Sequence, residues 1–167
     1  VKETDISKLQ ENFIGDISAE WMLIAAGDAS KFNAMTANWG FMGYVWNKPS
    51  AIVFVRPERH TFGFIEEREC FTLSFLGAEH KAAHKVFGTK SGRNIDKVKE
   101  TRLSPAFTAL GNPYFAEARL VLECKKTYSE MLKPDCFTDK DALKAFYGAK
   151  GNPHKFYFAE ILSAWQK

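Results

Sequence analysis

The sequence is short of most features that announce a particular chemistry. Its three cysteines, Cys70, Cys124 and Cys136, lie far apart with no C-x-x-C spacing. That speaks against a disulfide framework or a thiolate metal clasp, and favours reduced thiols in a cytoplasmic protein. Long apolar runs are also missing: "WMLIAAG" and "AIVFV" fall far short of the roughly 20 residues a membrane-spanning helix needs. The opening "VKETDISKLQENF" carries no apolar stretch of the secretory kind. Charge of one sign is not concentrated anywhere. Lys and Arg number 23 against 20 Asp and Glu, for a net charge of +3, and the basic residues are interleaved with acids. Such a pattern carries no nucleic-acid footprint.

Motifs of established chemistry are equally sparse. No G-x-G-x-x-G follows a strand, which disfavours a doubly wound dinucleotide site. "GTKSGR" (residues 88–93) has the composition of a phosphate loop without the G-K-[ST] spacing. No nucleophile elbow and no H-E-x-x-H is present. His80 and His84 stand four apart on a predicted helix, the spacing of two metal ligands on one face. No third ligand accompanies them and Phe87 shares the face, so structural histidines are expected there rather than a metal site.

What the chain does have is aromatic residues and strands. Its 167 residues include fifteen Phe and four Trp, with no visible linker or repeat, so residues 1–167 read as one domain. Two-residue alternation marks "FTLSF" (71–75), "AEARLVLEC" (116–124) and "KFYFAEILSAW" (155–165) as half-buried strands. In the last of these, Phe156, Phe158 and Leu162 are expected on one face and Tyr157, Ile161 and Trp165 on the other. "SAIVFV" (50–55) is apolar on both faces and predicts a central strand, while "WMLIAAG" and "NAMTANWG" are further strands. Helices are expected over 61–68, over 78–87 with Gly88 as a left-handed stop, and from a capping box at Thr138 to a point before Gly148. Strands outnumber helices without alternating with them. The fold class is therefore mainly β, an antiparallel barrel with peripheral helices.

Three stretches carry candidate chemistry. In "VRPERHT" (55–61), Arg56 emerges at a strand end and Pro57 breaks the strand. Thr61 then opens a helix whose N–H groups, with two guanidiniums, suit a phosphate. The competing reading is surface arginines paired with Glu58, Glu66 or Glu67. "KSGRNIDK" (90–97) adds Lys90, Ser91, Arg93 and Lys97, or else is a solvated turn. "MTANW" (35–39) alternates small and polar residues beside Trp39, a setting in which backbone groups can bond the edge of a heteroaromatic ring. Two phosphate-type clusters, one polar strand and many aromatics together suggest flavin mononucleotide (FMN) or a similar ligand.

These stretches, with "FTLSF" and "HKFYFAEI" in the same order, resemble the flavin reductase-like, flavoredoxin-type family of FMN-binding split-barrel proteins, from about Trp21 to Ile161. The resemblance implies a split barrel, noncovalent FMN, and a homodimer whose interface contributes to the flavin sites. It implies that Met35, Thr36, Ala37, Asn38 and Trp39 lie along the flavin ring, that Arg56 and Thr61 hold the phosphate, and that Ser74 and Phe75 line the far side. Ser91, Arg93 and Lys97 would close over the phosphate end. His60 stands where the family commonly has Tyr, which makes that contact pH-sensitive, and His154 matches a family histidine suited to substrate contact or to a structural bond. The implied activity is NAD(P)H-dependent flavin reduction, with NAD(P)H as transient donor. The alternatives are electron carriage between redox proteins, and FMN binding without turnover. "AEARLVLEC" and the last strand are the candidate dimer surfaces. Arg68 is expected on an exposed helix face.

Overall fold

The computed structural model describes residues 1–148 and 152–167. Among the described residues ten strands form: β1 (Lys2–Thr4), β2 (Met22–Gly27), β3 (Phe32–Ala37), β4 (Gly40–Val45), β5 (Lys48–Val55), β6 (Cys70–Phe75), β7 (Pro105–Phe107), β8 (Pro113–Phe115), β9 (Leu120–Met131) and β10 (Lys155–Gln166). The main sheet runs β3-β2-β6-β9-β10-β5-β4, every neighbour antiparallel, with β1 on the final residues of β10 beyond β5. The chain is mostly β with peripheral helices, as its residue pattern implies. β3 and β4 end the path at opposite edges, yet only Asn38 and Trp39 separate them in sequence. The barrel is therefore split at those two residues.

Alternation along the strands separates two cores. One is packed with Met22, Ile24, Met35, Val53, Phe71, Leu73, Phe75, Leu120, Leu122 and Tyr157. The other gathers Leu23, Ala25, Leu76, Phe87, Phe115 and Val121. Each fully buried Leu, Ile or Phe contributes roughly 1.5–3 kcal/mol relative to exposure. β6 is buried on both faces rather than one, since Thr72 and Ser74 are as inaccessible as Phe71 and Leu73. β9 begins at Leu120, later than its alternation suggested, and runs on to Met131. β5 differs from expectation too: Ala51, Val53 and Val55 are buried while Ile52 and Phe54 remain partly accessible, so its second face is uncovered in one chain. In β10 the expected faces hold only at first. A register shift between Ile161 and Ser163 moves Ala164 into the Tyr157 core, and Trp165 packs on the other. A bulge of this kind flips every later side chain.

The helices are α1 (Phe13–Gly15), α2 (His60–Glu67), α3 (Lys81–Thr89), α4 (Lys97–Thr101) and α5 (Lys140–Tyr147). A short 3₁₀ turn at Ala78–His80 precedes α3, which continues through Gly88 to Thr89; Gly88 is a helical residue and not the expected stop. A Cβ there would lie 3.5 Å from Thr36 Cβ, so the glycine lets α3 press closely on β3. α5 is capped by Asp139 in place of Thr138, its side chain accepting from Ala142 N at 2.9 Å. Arg68 ends α2 in an ion pair with Asp28 at 3.0 Å, so it is not an unengaged surface group.

Candidate functional site

The split in the barrel opens a cleft. Met35, Thr36 and Ala37 end β3, Asn38 and Trp39 cross the gap, and Phe54 and Arg56 stand at the end of β5. Together with Phe146 of α5 and His154 they line a cavity of about 260 Å³. It continues past Asn38, Trp39 and Phe54 into an apolar hollow of about 650 Å³, walled by Phe13, Ile17, Phe41 and Met42. Aromatic edges shape the cleft: the Trp39 ring lies 5.1 Å from Phe146 and 4.9 Å from His154. His154 Nδ1 lies 2.8 Å from the Tyr147 hydroxyl. Burial, with Arg56 adding to it, lowers the His154 pKa to about 4, so the imidazole is neutral at pH 7. The Thr36 hydroxyl donates to the His84 carbonyl at 2.6 Å and thereby fastens β3 to α3.

Arg56, expected at a phosphate, lines this cleft. Its guanidinium donates to Phe146 O at 2.9 Å and to Asn152 O at 3.5 Å, and lies 5.4 Å from the Tyr147 ring centroid. The reason is Pro57: it turns the chain at the strand end, so that the next arginine points elsewhere. Arg59 donates to Phe87 O at 3.0 Å and Gly88 O at 2.7 Å, the terminal carbonyls of α3. Those carbonyls lack intrahelical partners, and a cation there also complements the helix dipole.

Arg59 borders both the cleft and a smaller polar cavity of about 180 Å³ at the start of α2. His60, Thr61, Lys90, Ser91, Arg93 and Lys97 line the same cavity. The arrangement is thus a cation cluster beside the first N–H groups of a helix, the donor set an anion needs. Its members are not equivalent. Lys97, expected to close over the phosphate end, is buried, donating to Ala34 O at 3.0 Å and Phe87 O at 3.3 Å; burial, then Arg59, lowers its pKa to about 8. Lys90 is paired with Glu100. Arg93 donates to Glu58 O at 3.2 Å, and its own N–H donates to Ser91 Oγ at 3.2 Å. Thr61 is fully buried, its hydroxyl accepting from Asn33 Nδ2 at 2.7 Å, which braces the wall of the cavity and leaves the hydroxyl proton uncommitted. Burial depresses the His60 pKa, helped by Arg93, Lys31 and Lys97, which favours the neutral ring. Gly92 is required where it stands, since a Cβ would overlap Asn33 Oδ1 and crowd His60.

Two expected contacts fail. Ser74 and Phe75 are sealed in the cores: Phe75 packs 6.2 Å from the Phe13 ring, and Ser74 Oγ is buried without a partner among the described residues. Both faces of β6 are covered, so neither residue reaches the cleft. His84 is buried in α3, and His80 stands in the turn before it with Nε2 3.9 Å from Glu79. Phe54 and Phe146 escaped the sequence reading because partly exposed phenylalanines look the same as core ones in sequence.

With this geometry in hand, comparison with known proteins is informative. A family model described as "Flavin reductase like domain" matches residues 14–165. The chain belongs to that family. No curated protein matches it. Among solved structures, the flavoredoxin of Desulfovibrio vulgaris (Miyazaki F) superposes with a TM-score of 0.69 at 20% identity, over 98% of this chain and 76% of that one. The flavoredoxin of Methanosarcina acetivorans gives 0.68 at 21% identity, over 100% and 76%. The NADH:FAD oxidoreductase of Streptomyces globisporus C-1027 gives 0.67 at 17% identity, over 89% and 75%. At such identities the likeness establishes the fold, and the family model establishes a flavin-related oxidoreductase lineage.

Proposed function

We propose that the chain holds FMN noncovalently, the ring in the cleft beside Met35–Trp39 and the phosphate in the cation cluster beneath α2. The observation that carries this reading is Arg59, which borders both cavities and so joins a flat aromatic-walled cleft to an anion site. The donor set fits: Arg59, Arg93 and Lys97 supply charge, the start of α2 supplies N–H groups, and Gly92 leaves the loop close to Asn33 without a side chain in the way. When bound, FMN supplies hydride acceptance and delivery of electrons one or two at a time. The protein's own residues position and seal. Thr36 fastens the ring-side strand to α3, Phe146 and Trp39 limit water, and neutral His154 offers a ring nitrogen beside the cleft with Tyr147 orienting it.

The activity we infer is NAD(P)H-dependent flavin reduction, in which NAD(P)H binds transiently and a flavin or a redox protein accepts the electrons. We also infer a homodimer. Phe41, Tyr44, Trp46 and Tyr128 are exposed, and the rings of Phe41, Trp46 and Tyr128 join Phe54, Phe156 and Phe158 in one continuous aromatic patch. A patch of that kind marks an interaction surface, and a second copy would bring its own patch to the cleft edge at Phe54. The test is calorimetric titration with FMN and riboflavin, followed by anaerobic mixing of the loaded protein with NADH and NADPH. Tighter binding of FMN and rapid bleaching support reductase activity. Equal binding of riboflavin sinks the phosphate assignment, and inertness to both nucleotides leaves the carrier reading.

A further inference from the structure

The apolar hollow beside the cleft takes Phe13, Ile14, Ile17 and Ser18 of its wall from one short segment of the chain. That segment is α1 followed by a wide π-type turn over Asp16–Glu20. It ends at Trp21, whose N–H donates to Asp16 O at 2.8 Å and whose φ is 72°. π turns are rare and bulky residues seldom adopt a positive φ, so side chains must hold the segment in place. Ile17 enters the first core with Phe13 beside it. The polar hold is a single guanidinium. Arg119 donates to Glu11 Oε2 at 2.7 Å, to Asp16 Oδ1 at 2.8 Å and to Glu20 Oε2 at 2.9 Å. Arg119 is itself fixed, its N–H donating to Phe75 O at 2.8 Å and its carbonyl accepting from Lys167 N at 2.9 Å. Gln166 Nε2 adds a bond to Glu11 Oε1 at 2.7 Å.

The charges in this cluster do not balance. Among the described residues three carboxylates meet one arginine, while the Lys81 ammonium, reaching over from α3, donates to the Ala19 and Glu20 carbonyls. Asp16 is only 8% exposed, and its Oδ2 is buried without a partner among the described residues. The Glu11 carboxylate lies within hydrogen-bond reach of Asp16, a bond that two ionised carboxylates cannot make. One proton on Asp16 answers both problems. It supplies the missing donor and removes one of the two surplus charges. Burial raises the Asp16 pKa to about 6 against the pull of Arg119, and Glu11 and Glu20 add to the rise. The sign follows: the fastened arrangement is favoured below about pH 6 and loses its proton as pH rises through that value.

We propose that residues 11–20 are a strap over the apolar hollow, latched to Arg119 by a proton held between Asp16 and Glu11, and that loss of this proton to solvent frees the strap and widens the hollow. Service of the hollow to a flavin ring rests on the flavin reading; the latch does not. The experiment is carbon-13 NMR of the full chain without added ligand, from about pH 5 to 7.5, a range that brackets the Asp16 transition. It follows the Asp16 carboxyl carbon and the δ1-methyl groups of Ile17 and Ile24. The Asp16 carbon should titrate near pH 6. The Ile17 methyl should shift and broaden with the same midpoint, while Ile24, in the same core but on β2, stays flat. Asp16→Asn keeps a donor and discards the charge, so it should hold the Ile17 methyl at its low-pH position throughout. Glu11→Gln should move the Asp16 midpoint down. An Asp16 carbon ionised across the whole range, or an Ile17 methyl that ignores the Asp16 titration, overturns the proposal, and the parent chain alone yields both results. A parental midpoint in Glu11→Gln overturns the shared proton. Failure of FMN to bind would reject the flavin reading and leave the latch standing.

Discussion

Replacing Arg59 by Ala separates the anchoring of α3 from the holding of a phosphate. The guanidinium makes two charge-assisted bonds, to Phe87 O and Gly88 O, and such bonds contribute roughly 1.5–3 kcal/mol each when the partner is left buried. Lys97 also donates to Phe87 O, at 3.3 Å, so that carbonyl is not abandoned. The expected loss is therefore nearer one bond than two, about 2 kcal/mol, or about 4–8 °C in melting temperature for a chain of this size. In the ligand titration Arg59→Ala should weaken FMN more than riboflavin, by about 1.5–3 kcal/mol, or roughly 10- to 150-fold. Arg56→Ala should weaken the two ligands equally, because that residue borders the cleft and its bonds run to Phe146 and Asn152. Differential scanning calorimetry with paired titrations reads all four quantities. Selective loss of FMN in Arg56→Ala, with none in Arg59→Ala, would refute the division of the site into ring cleft and cation cluster.

Gly92→Ala should lower FMN affinity by more than tenfold, since the new Cβ overlaps Asn33 Oδ1 and must push the 90–97 loop off β3; unchanged affinity by titration would mean the loop lies outside the site. Acid should destabilise the chain between about pH 6.5 and 4, because the depressed His84 and His154 pKa values leave their stability contribution intact above the unfolded value and remove it as pH falls through the folded one. For His84 the upper limit is about 3 kcal/mol, and chemical denaturation should show a shallower acid limb in His84→Gln. Asp16 works in the opposite sense. Burial raises its pKa to about 6, so its contribution is present below the unfolded value and fades as pH rises through 6; Asp16→Asn should steepen the acid limb.

How much of this was legible in the sequence follows from range. Strand identity came from local signals, alternation for β6, β9 and β10 and apolar content for β5, although β9 starts at Leu120 and not at 116. The bulge after Ile161 was invisible, because nothing in "AEILSAW" distinguishes a bulged residue from a paired one. Apart from Arg56, the donor residues of "VRPERHT" and "KSGRNIDK" line one cavity. Their division of labour did not show. Whether Arg56 or Arg59 faces the anion depends on the turn at Pro57 and on where α3 ends, and both are tertiary facts. That Lys97 is buried against the Ala34 and Phe87 carbonyls did not show either, since those partners lie far from it in sequence. Ser74 and Phe75 failed because a strand covered on both sides has no face left for a ligand.

Lys97 also sets a pH dependence that the phosphate assignment must obey. Its pKa of about 8, against an ordinary 10.5, means that the folded chain without ligand releases a proton more readily than the unfolded chain. The sign is fixed by that depression: the contribution to stability is complete above the unfolded value and is lost as pH falls through about 8, so the free protein should gain stability from pH 8 toward 10.5. A bound phosphate dianion reverses the preference, because it favours the ammonium that burial and Arg59 disfavour. FMN affinity should therefore decline as pH rises through about 8, while riboflavin affinity stays flat. His60 does not blur the reading, since its depressed pKa leaves it neutral across that range, and the arginines keep their charge. Lys97→Met should abolish the slope for FMN and leave riboflavin unchanged. A slope of equal size for both ligands would place the titrating group at the ring, and a flat FMN profile in the parent chain would remove Lys97 from the anion site.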